Sequence, residues 1–265
     1  MKFRFQRKYL SIPFFLFLIL FVVLPIFFII YYAFTDSNGF FSWDALIDFF
    51  TSTNKLNVLL MSLMFSLLNT AICLLIGYPV AYILSNSKLN TNAVIVMLFV
   101  MPMWINFVLR TWATRDVLNW IGLSGGYHPY IATMIGLVYN YLPFVILPLY
   151  NVMLKLDKSQ IEAATDLGCN RVQVFTKSII PQTIPGVVSA SMMVFMPTMS
   201  SYVISDVLSE GKVVLFGNSI YLSFSNSQWN VGSFISLFML VLVGISMLVT
   251  RNFTEKDTNK ESSKW

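Results

Sequence analysis

A single histidine and two cysteines among 265 residues leave little from which to build a metal centre or a disulfide framework. His128 stands alone before Pro129 in a connecting segment. Cys73 falls inside a long apolar run and Cys169 inside a charged one, so the two thiols are poorly placed to pair. No glycine-rich stretch ends in Lys-Ser or Lys-Thr, so the phosphate-binding loop that serves nucleotide hydrolysis is missing. No cluster of polar residues suits catalysis, and nothing in the pattern calls for a cofactor. Charge is scarce as well: Asp, Glu, Lys and Arg make up 11% of the residues and fall in clusters. Clustered charge between apolar runs marks a chain that sits in a lipid bilayer.

What is abundant is apolar, at 57% of the residues. Uncharged runs cover 9–35, 56–87, 89–109, 178–205 and 213–250, and 117–154 carries no charge apart from His128. Each is long enough for the roughly 20 residues a helix needs to cross the hydrocarbon layer. Six spans are therefore expected, at 12–34, 58–84, 93–109, 130–154, 184–205 and 231–250. Lys2, Arg4, Arg7 and Lys8 precede the first, as in a cleavable signal, but its apolar run is too long and no small-residue cleavage site follows. It is read as a retained helix.

Orientation follows from the basic residues, which accumulate on the cytoplasmic side. One set of alternate loops holds Lys2, Arg4, Arg7, Lys8, Lys88, Lys155, Lys158, Arg171, Lys177, Arg251, Lys256, Lys260 and Lys264. The other holds Lys55, Arg110, Arg115 and Lys212, an asymmetry of 13 to 4. Both termini are expected in the cytoplasm of a multi-pass protein of the cell membrane. The pI of about 9.1 reflects this loop bias and gives no support to nucleic-acid binding.

The chain, 1–265, reads as one transmembrane domain, without a linker or internal repeat. Among the segments on the outer side, 110–129 includes Trp112, Val117, Leu118, Trp120 and Ile121, a pattern for an amphipathic helix lying in the interface. Pro25, Pro79, Pro102, Pro143, Pro148 and Pro197 fall inside spans, where each removes an amide donor and frees a carbonyl. Pro197 differs from the rest because Thr198, Ser200, Ser201 and Tyr202 follow it, which places hydroxyls beside freed carbonyls as along a polar pathway.

The segment with the most information is a charged island between two uncharged stretches. It carries Lys155, Asp157, Lys158, Glu162, Asp166, Arg171 and Lys177, and within it Ile161 to Gly168 reads as a short helix with a small-residue surface and a glycine stop. Ala163 and Ala164 permit close approach by a partner, Glu162 and Asp166 share a face, and Gly168 suits a left-handed cap. The spans carry no central Asp, Glu, Lys or Arg of the sort proton-coupled carriers use, so energy input through this loop is the better idea.

Glu162-Ala163-Ala164, then Gly168 and Pro181, resembles the EAA loop of permease subunits of binding-protein-dependent ABC importers. Ile180 fits that pattern, whereas Ser178 stands where the family usually has isoleucine. Gly77-Tyr78-Pro79-Val80-Ala81-Tyr82 and the six-span layout are similar to the same family. The resemblance implies an all-α type I ABC importer permease fold, with a cytoplasmic coupling loop at about 155–181. It also implies partners: two ATPase subunits, a second permease subunit and an extracytoplasmic substrate-binding protein. Glu162, Ala163, Ala164, Asp166 and Gly168 would then be the ATPase-coupling residues.

A narrower resemblance is to the first permease of spermidine/putrescine importers. It rests on the stretches beginning at Met101, Leu137 and Leu156, and on Gly211-Lys212 followed by Gly217-Asn218-Ser219-Ile220. A polycation pathway needs carboxylates, carbonyls or aromatic faces in place of water. Trp104, Tyr141, Tyr202, Asp206 and Glu210 are the expected substrate-path residues, although aromatics in spans also serve packing and interface anchoring. The same machine carrying another small solute, an integral membrane enzyme and a passive channel remain the alternatives.

Overall fold

The structure is a computed structural model and describes residues 11–36, 39–86 and 93–262. Lys2, Arg4, Arg7, Lys8, Lys88 and Lys264, six of the basic residues behind the charge asymmetry, lie outside the described residues. Among the described residues every element is helical, apart from an isolated bridge between Thr35 and Phe41. Five helices are long and apolar enough to cross a membrane: Pro13–Ala33 (α1), Thr53–Ser85 (α3), Pro129–Met153 (α6), Arg171–Ser200 (α8) and Trp229–Leu248. Val94–Trp104 and Phe107–Trp120 pass the same test only together; they meet at 97°, and counted as one broken span they make a sixth. We label Asp44–Thr51 α2, Ala93–Val100 α4, Phe107–Trp120 α5, Lys158–Asp166 α7, Val203–Ser209 α9, Phe216–Ser225 α10 and Trp229–Ser262 α11.

Two compact units are distinguished, one from the residues up to Asn57 with Ser219–Leu242, the other from Val58–Asn218 with the residues from Val243 onward. In the first, α1 exposes ring after ring, including Phe14, Phe15, Phe21 and Phe27, as a helix bathed in lipid does. The short α2 turns Ala45 and Phe49 inward, and Phe49 packs against Phe234 and Phe238 with ring centroids 5.6 and 4.9 Å apart. Asn230 donates its side-chain amide to the Thr35 carbonyl.

The second unit is organised by an inverted pattern. On α3 the buried stripe is mostly small and polar: Ser62, Ser66, Asn69, Thr70, Cys73, Gly77 and Ala81 are buried along with Phe65 and Leu84, while Leu60, Met64, Leu67 and Leu75 are exposed. Lipid is as apolar as leucine, so large side chains gain little by turning inward and small ones let backbones approach. The hydroxyls of Ser62, Ser66 and Thr70 donate to carbonyls one turn back, which satisfies them as donors within the helix, and Ser62 Oγ also accepts from the Phe216 amide at 2.7 Å. A Cβ at Gly77 would stand 2.7 Å from a Val145 methyl, so the closeness of α3 and α6 requires glycine there. Ala190 and Val194 of α8 complete this core with Cys73, Ala81, Val145, Leu149 and Met153. Two polar bonds cross from α3 to α8: Asn69 Nδ2 donates to Thr198 Oγ1 at 2.7 Å, and the Tyr78 and Thr183 hydroxyls lie 2.8 Å apart. Such bonds contribute about 0.6–2 kcal/mol each in a membrane.

Two expected spans differ from the observed ones. The fifth begins at Arg171 instead of 184, because Asn170 and Gln173 form a reciprocal cap that starts the helix inside the charged island. It ends at Ser200 instead of 205, where Ser201 is extended before the separate helix α9. The third was expected over 93–109 with Pro102 inside it, and its helix breaks after Trp104. Pro102 sits in a 3-10 turn, Met101–Trp104, and Asn106 then caps a new helix by accepting from the Val108 and Leu109 amides at 2.9 and 3.4 Å. The amphipathic interface helix expected around Trp112 is therefore the second arm of this bent span, with Leu118 buried and Trp112 and Trp120 exposed.

Candidate functional site

The polar loop folds as α7. Asp157 caps its start, accepting from the Ser159 amide at 3.0 Å. Hydrogen bonds from the Ser159 hydroxyl and amide hold the Asp157 carboxyl below the usual carboxylate range. The end is a left-handed glycine stop: Gly168 lies at φ +82°, its amide donates to Thr165 at 2.9 Å, and the Cys169 amide donates to Ala164 at 3.1 Å. Glu162, Ala163, Asp166 and Gly168 are exposed and Ala164 is half-buried. Leu167 beside them is 85% exposed, and Val172 just beyond is exposed too. The loop is tied to α8, since the Asp157 amide donates to Gln182 Oε1 at 3.1 Å. From there the motif at 77–82 continues the link, with the rings of Tyr78 and Tyr82 lying edge-on to Phe175 at 5.9 and 5.5 Å. The segment before α7 is thus joined to α8 by a hydrogen bond, and α8 to α3 by ring contacts.

At the bend lies a cleft of about 480 Å³ lined by Trp104, Asn106, Phe107, Arg110, Asn140 and Tyr141 among others. Trp104 is 87% exposed. The Tyr141 hydroxyl donates to the Pro197 carbonyl at 3.2 Å, and Ser200 Oγ reaches the same oxygen at 3.2 Å. The polar character expected around Pro197 is therefore present, and most of it is spent inside the protein. The bend brings Trp104 and Tyr141 together. Tyr202, Asp206 and Glu210 do not line this cleft: Tyr202 precedes α9, Asp206 is exposed on it, and Glu210 caps it at φ +55°. Glu210 is paired with Arg115 at 3.5 Å.

Two residues that sequence reasoning passed over shape this region. Arg110 is buried, with Nε donating to Asn140 Oδ1 at 2.8 Å, one terminal nitrogen to Pro102 O at 2.6 Å and the other to Asn140 O at 3.4 Å. It clamps the 3-10 turn and α5 onto α6. Asn218 holds the α9 region by accepting from the Ser205 hydroxyl and the Leu215 amide and by donating to Tyr202 O at 3.3 Å. The signal for Arg110 was its place four residues after the asparagine cap and eight after Pro102, a position that charge counting assigns to a loop. Among the described residues no three of His, Cys, Asp and Glu come together as metal ligands.

Residues 74–257 match the family described as the binding-protein-dependent transport system inner membrane component. The chain belongs to this family. It is 35% identical to the spermidine/putrescine transport system permease protein PotB of Haemophilus influenzae, over 93% of each chain. The protein of that name from Escherichia coli K12 is 34% identical over 88% of this chain and 92% of its own length. Among solved structures, a bacterial alginate ABC transporter in complex with an alginate-bound periplasmic protein matches with a TM-score of 0.72 at 13% identity, covering 95% of this chain and 94% of that one. The fold is that of a type I ABC importer permease, in a multi-pass protein of the inner membrane. The permease is a transport subunit and not an enzyme, and in such systems ATP hydrolysis resides on a separate chain.

Proposed function

We propose that this permease conducts spermidine or putrescine through the inner membrane and couples their passage to ATP hydrolysis on partner chains. The observation that carries the reading is the 35% identity to a spermidine/putrescine permease across 93% of both chains. The geometry supports it in two places. The exposed α7, with Glu162, Ala163, Ala164, Asp166 and Gly168, offers a small-residue surface to an ATPase subunit. The cleft at the bend offers the faces of Trp104 and Tyr141 to ammonium groups. Tyr202, Asp206 and Glu210 belong further along the same path, at its outer mouth. The chain works as one transmembrane domain, beside a second permease, two ATPase subunits and an extracytoplasmic binding protein.

Both termini and the coupling loop face the cytoplasm, on the strength of the 13 to 4 distribution of basic residues. A cysteine at Ser178 reacts with impermeant reagents from the cytoplasm only and one at Ser124 from outside only; labelling of both from one side sinks the six-span layout. The substrate is tested on complexes reconstituted with all partners, by uptake and solute-stimulated ATPase activity across a panel of polyamines, amino acids and anions. An anion belongs in the panel because Arg110 is the feature of the cleft that would suit one. Transport of an anion with no response to polyamines overturns the polyamine assignment.

A further inference from the structure

Arg110 is 6% exposed, yet its hydrogen bonds among the described residues run only to uncharged oxygens, those of Pro102 and Asn140. The guanidinium does not lose its proton in a protein. A cation solvated by neutral acceptors keeps its net charge, and at low dielectric that charge acts over the neighbouring space. The space here is the cleft that also holds Trp104 and Tyr141. The Tyr139 ring, 5.6 Å from the guanidinium carbon, adds an aromatic face without net charge.

We propose that Arg110 is a specificity-determining residue of the transport path: a fixed positive charge that opposes the attraction of Trp104 and Tyr141 for ammonium groups, so that a polycation crosses the cleft without lodging in it. This inference rests on the polyamine reading above. A path built only of attractive groups would hold its solute in a well and slow its exit. One clamped cation in the wall makes that well shallower, and more so for a triamine than for a diamine. The three bonds across the bend keep the charge at a set place in the wall of the cleft.

The test measures equilibrium binding of radiolabelled spermidine and putrescine to the assembled permease–ATPase complex in lipid nanodiscs without the binding protein. Removing a unit charge ~8 Å away at an effective dielectric constant of ~40 corresponds to roughly fivefold in affinity. Arg110→Gln is therefore expected to bind spermidine roughly fivefold more tightly and putrescine by a smaller factor, with slower uptake once the binding protein is restored. Arg110→Lys keeps the charge while losing the fork, and should bind near the wild-type level. A purely structural role predicts the reverse, with both variants weakening binding alike. Phe107→Glu places an opposing charge in the same cleft away from the clamp, and it should also tighten spermidine binding; this variant decides the matter if Arg110→Gln does not assemble. Spermidine binding that is unchanged or weaker in whichever of these assembles overturns the inference, as do equal shifts in Arg110→Gln and Arg110→Lys. Wild-type complexes that bind neither polyamine overturn the polyamine reading itself.

Discussion

Replacing Gly168 with valine is expected to disable coupling through the backbone alone. Gly168 sits at φ +82°, where a residue with a branched Cβ is strained by roughly 1–2 kcal/mol. A Cβ at that point would meet nothing within 4 Å, so no steric contact inside the chain adds to the cost. The strain falls on the stop that closes α7, namely the Gly168 and Cys169 amides on the carbonyls of Thr165 and Ala164. A helix of nine residues has no reserve, because isolated helices of that length are unstable in water. A loss of 1–2 kcal/mol shifts the closed and frayed forms by roughly 5- to 30-fold. The assay is polyamine uptake per ATP hydrolysed in reconstituted complexes, with expression and membrane insertion checked separately. Valine should lower coupled uptake several-fold at normal expression. Asparagine, which tolerates the left-handed region, should restore most of it. Wild-type coupling in Gly168→Val, or equal damage from asparagine and valine, would refute the reasoning.

Ala164→Arg places a long cation on a half-buried position of the proposed docking face, and it should abolish solute-stimulated ATPase activity while leaving insertion intact; wild-type transport by a well-expressed variant would remove the coupling assignment. Trp104→Ala removes the most exposed aromatic face of the cleft, worth ~0.5–2 kcal/mol to a cation, so spermidine uptake should fall between about twofold and thirtyfold, and unchanged uptake would exclude Trp104 from the path. The carboxyl of Asp157 is held down by Ser159, so its capping is present above the ordinary carboxylate pKa and is lost only as pH falls through the lowered folded value. Coupling measured from about pH 8 to about pH 5 should accordingly show no step from this group, whereas Asp157→Ala should weaken coupling throughout that range; a step that Asp157→Ala abolishes would contradict the assignment.

The loop helix was legible because its signals are local. Two alanines, an acidic pair four residues apart and a glycine stop lie within seven positions, and each acts on its immediate neighbours; the start, expected at Ile161, lies at Lys158 because Asp157 caps the helix there. Apolar length likewise located the five spans that are single helices, since bilayer thickness sets it directly. Helix ends were less legible. The fifth span reaches back to Arg171 because the Asn170–Gln173 cap outweighs the cost of bringing Lys177 into a helix, and an exposed lysine extends to polar surroundings at little expense. The roles of Tyr202, Asp206 and Glu210 were read from residue type alone, and the structure sets them apart from the cleft that Trp104 and Tyr141 share.

The bend of the third span shows why hydropathy does not reach such a site. An uncharged run such as 89–109 has the same mean hydropathy whether it is straight or broken, so its length identifies a span and says nothing of its path. The break is decided by three polar events: Pro102 in a tight turn, Asn106 capping a second helix, and Arg110 reaching back across the corner to Pro102 and over to Asn140. Each is weak as a sequence signal, because proline, asparagine and arginine near the end of an apolar run ordinarily mark the boundary of the membrane. Together they are cooperative. The cap sets the direction of the new helix, that direction brings Arg110 within reach of the turn, and the clamp then holds the turn that presents Trp104. The cleft is thus a product of the groups that make the span look finished, and a charge that counts as a loop residue in topology becomes a structural element of the site.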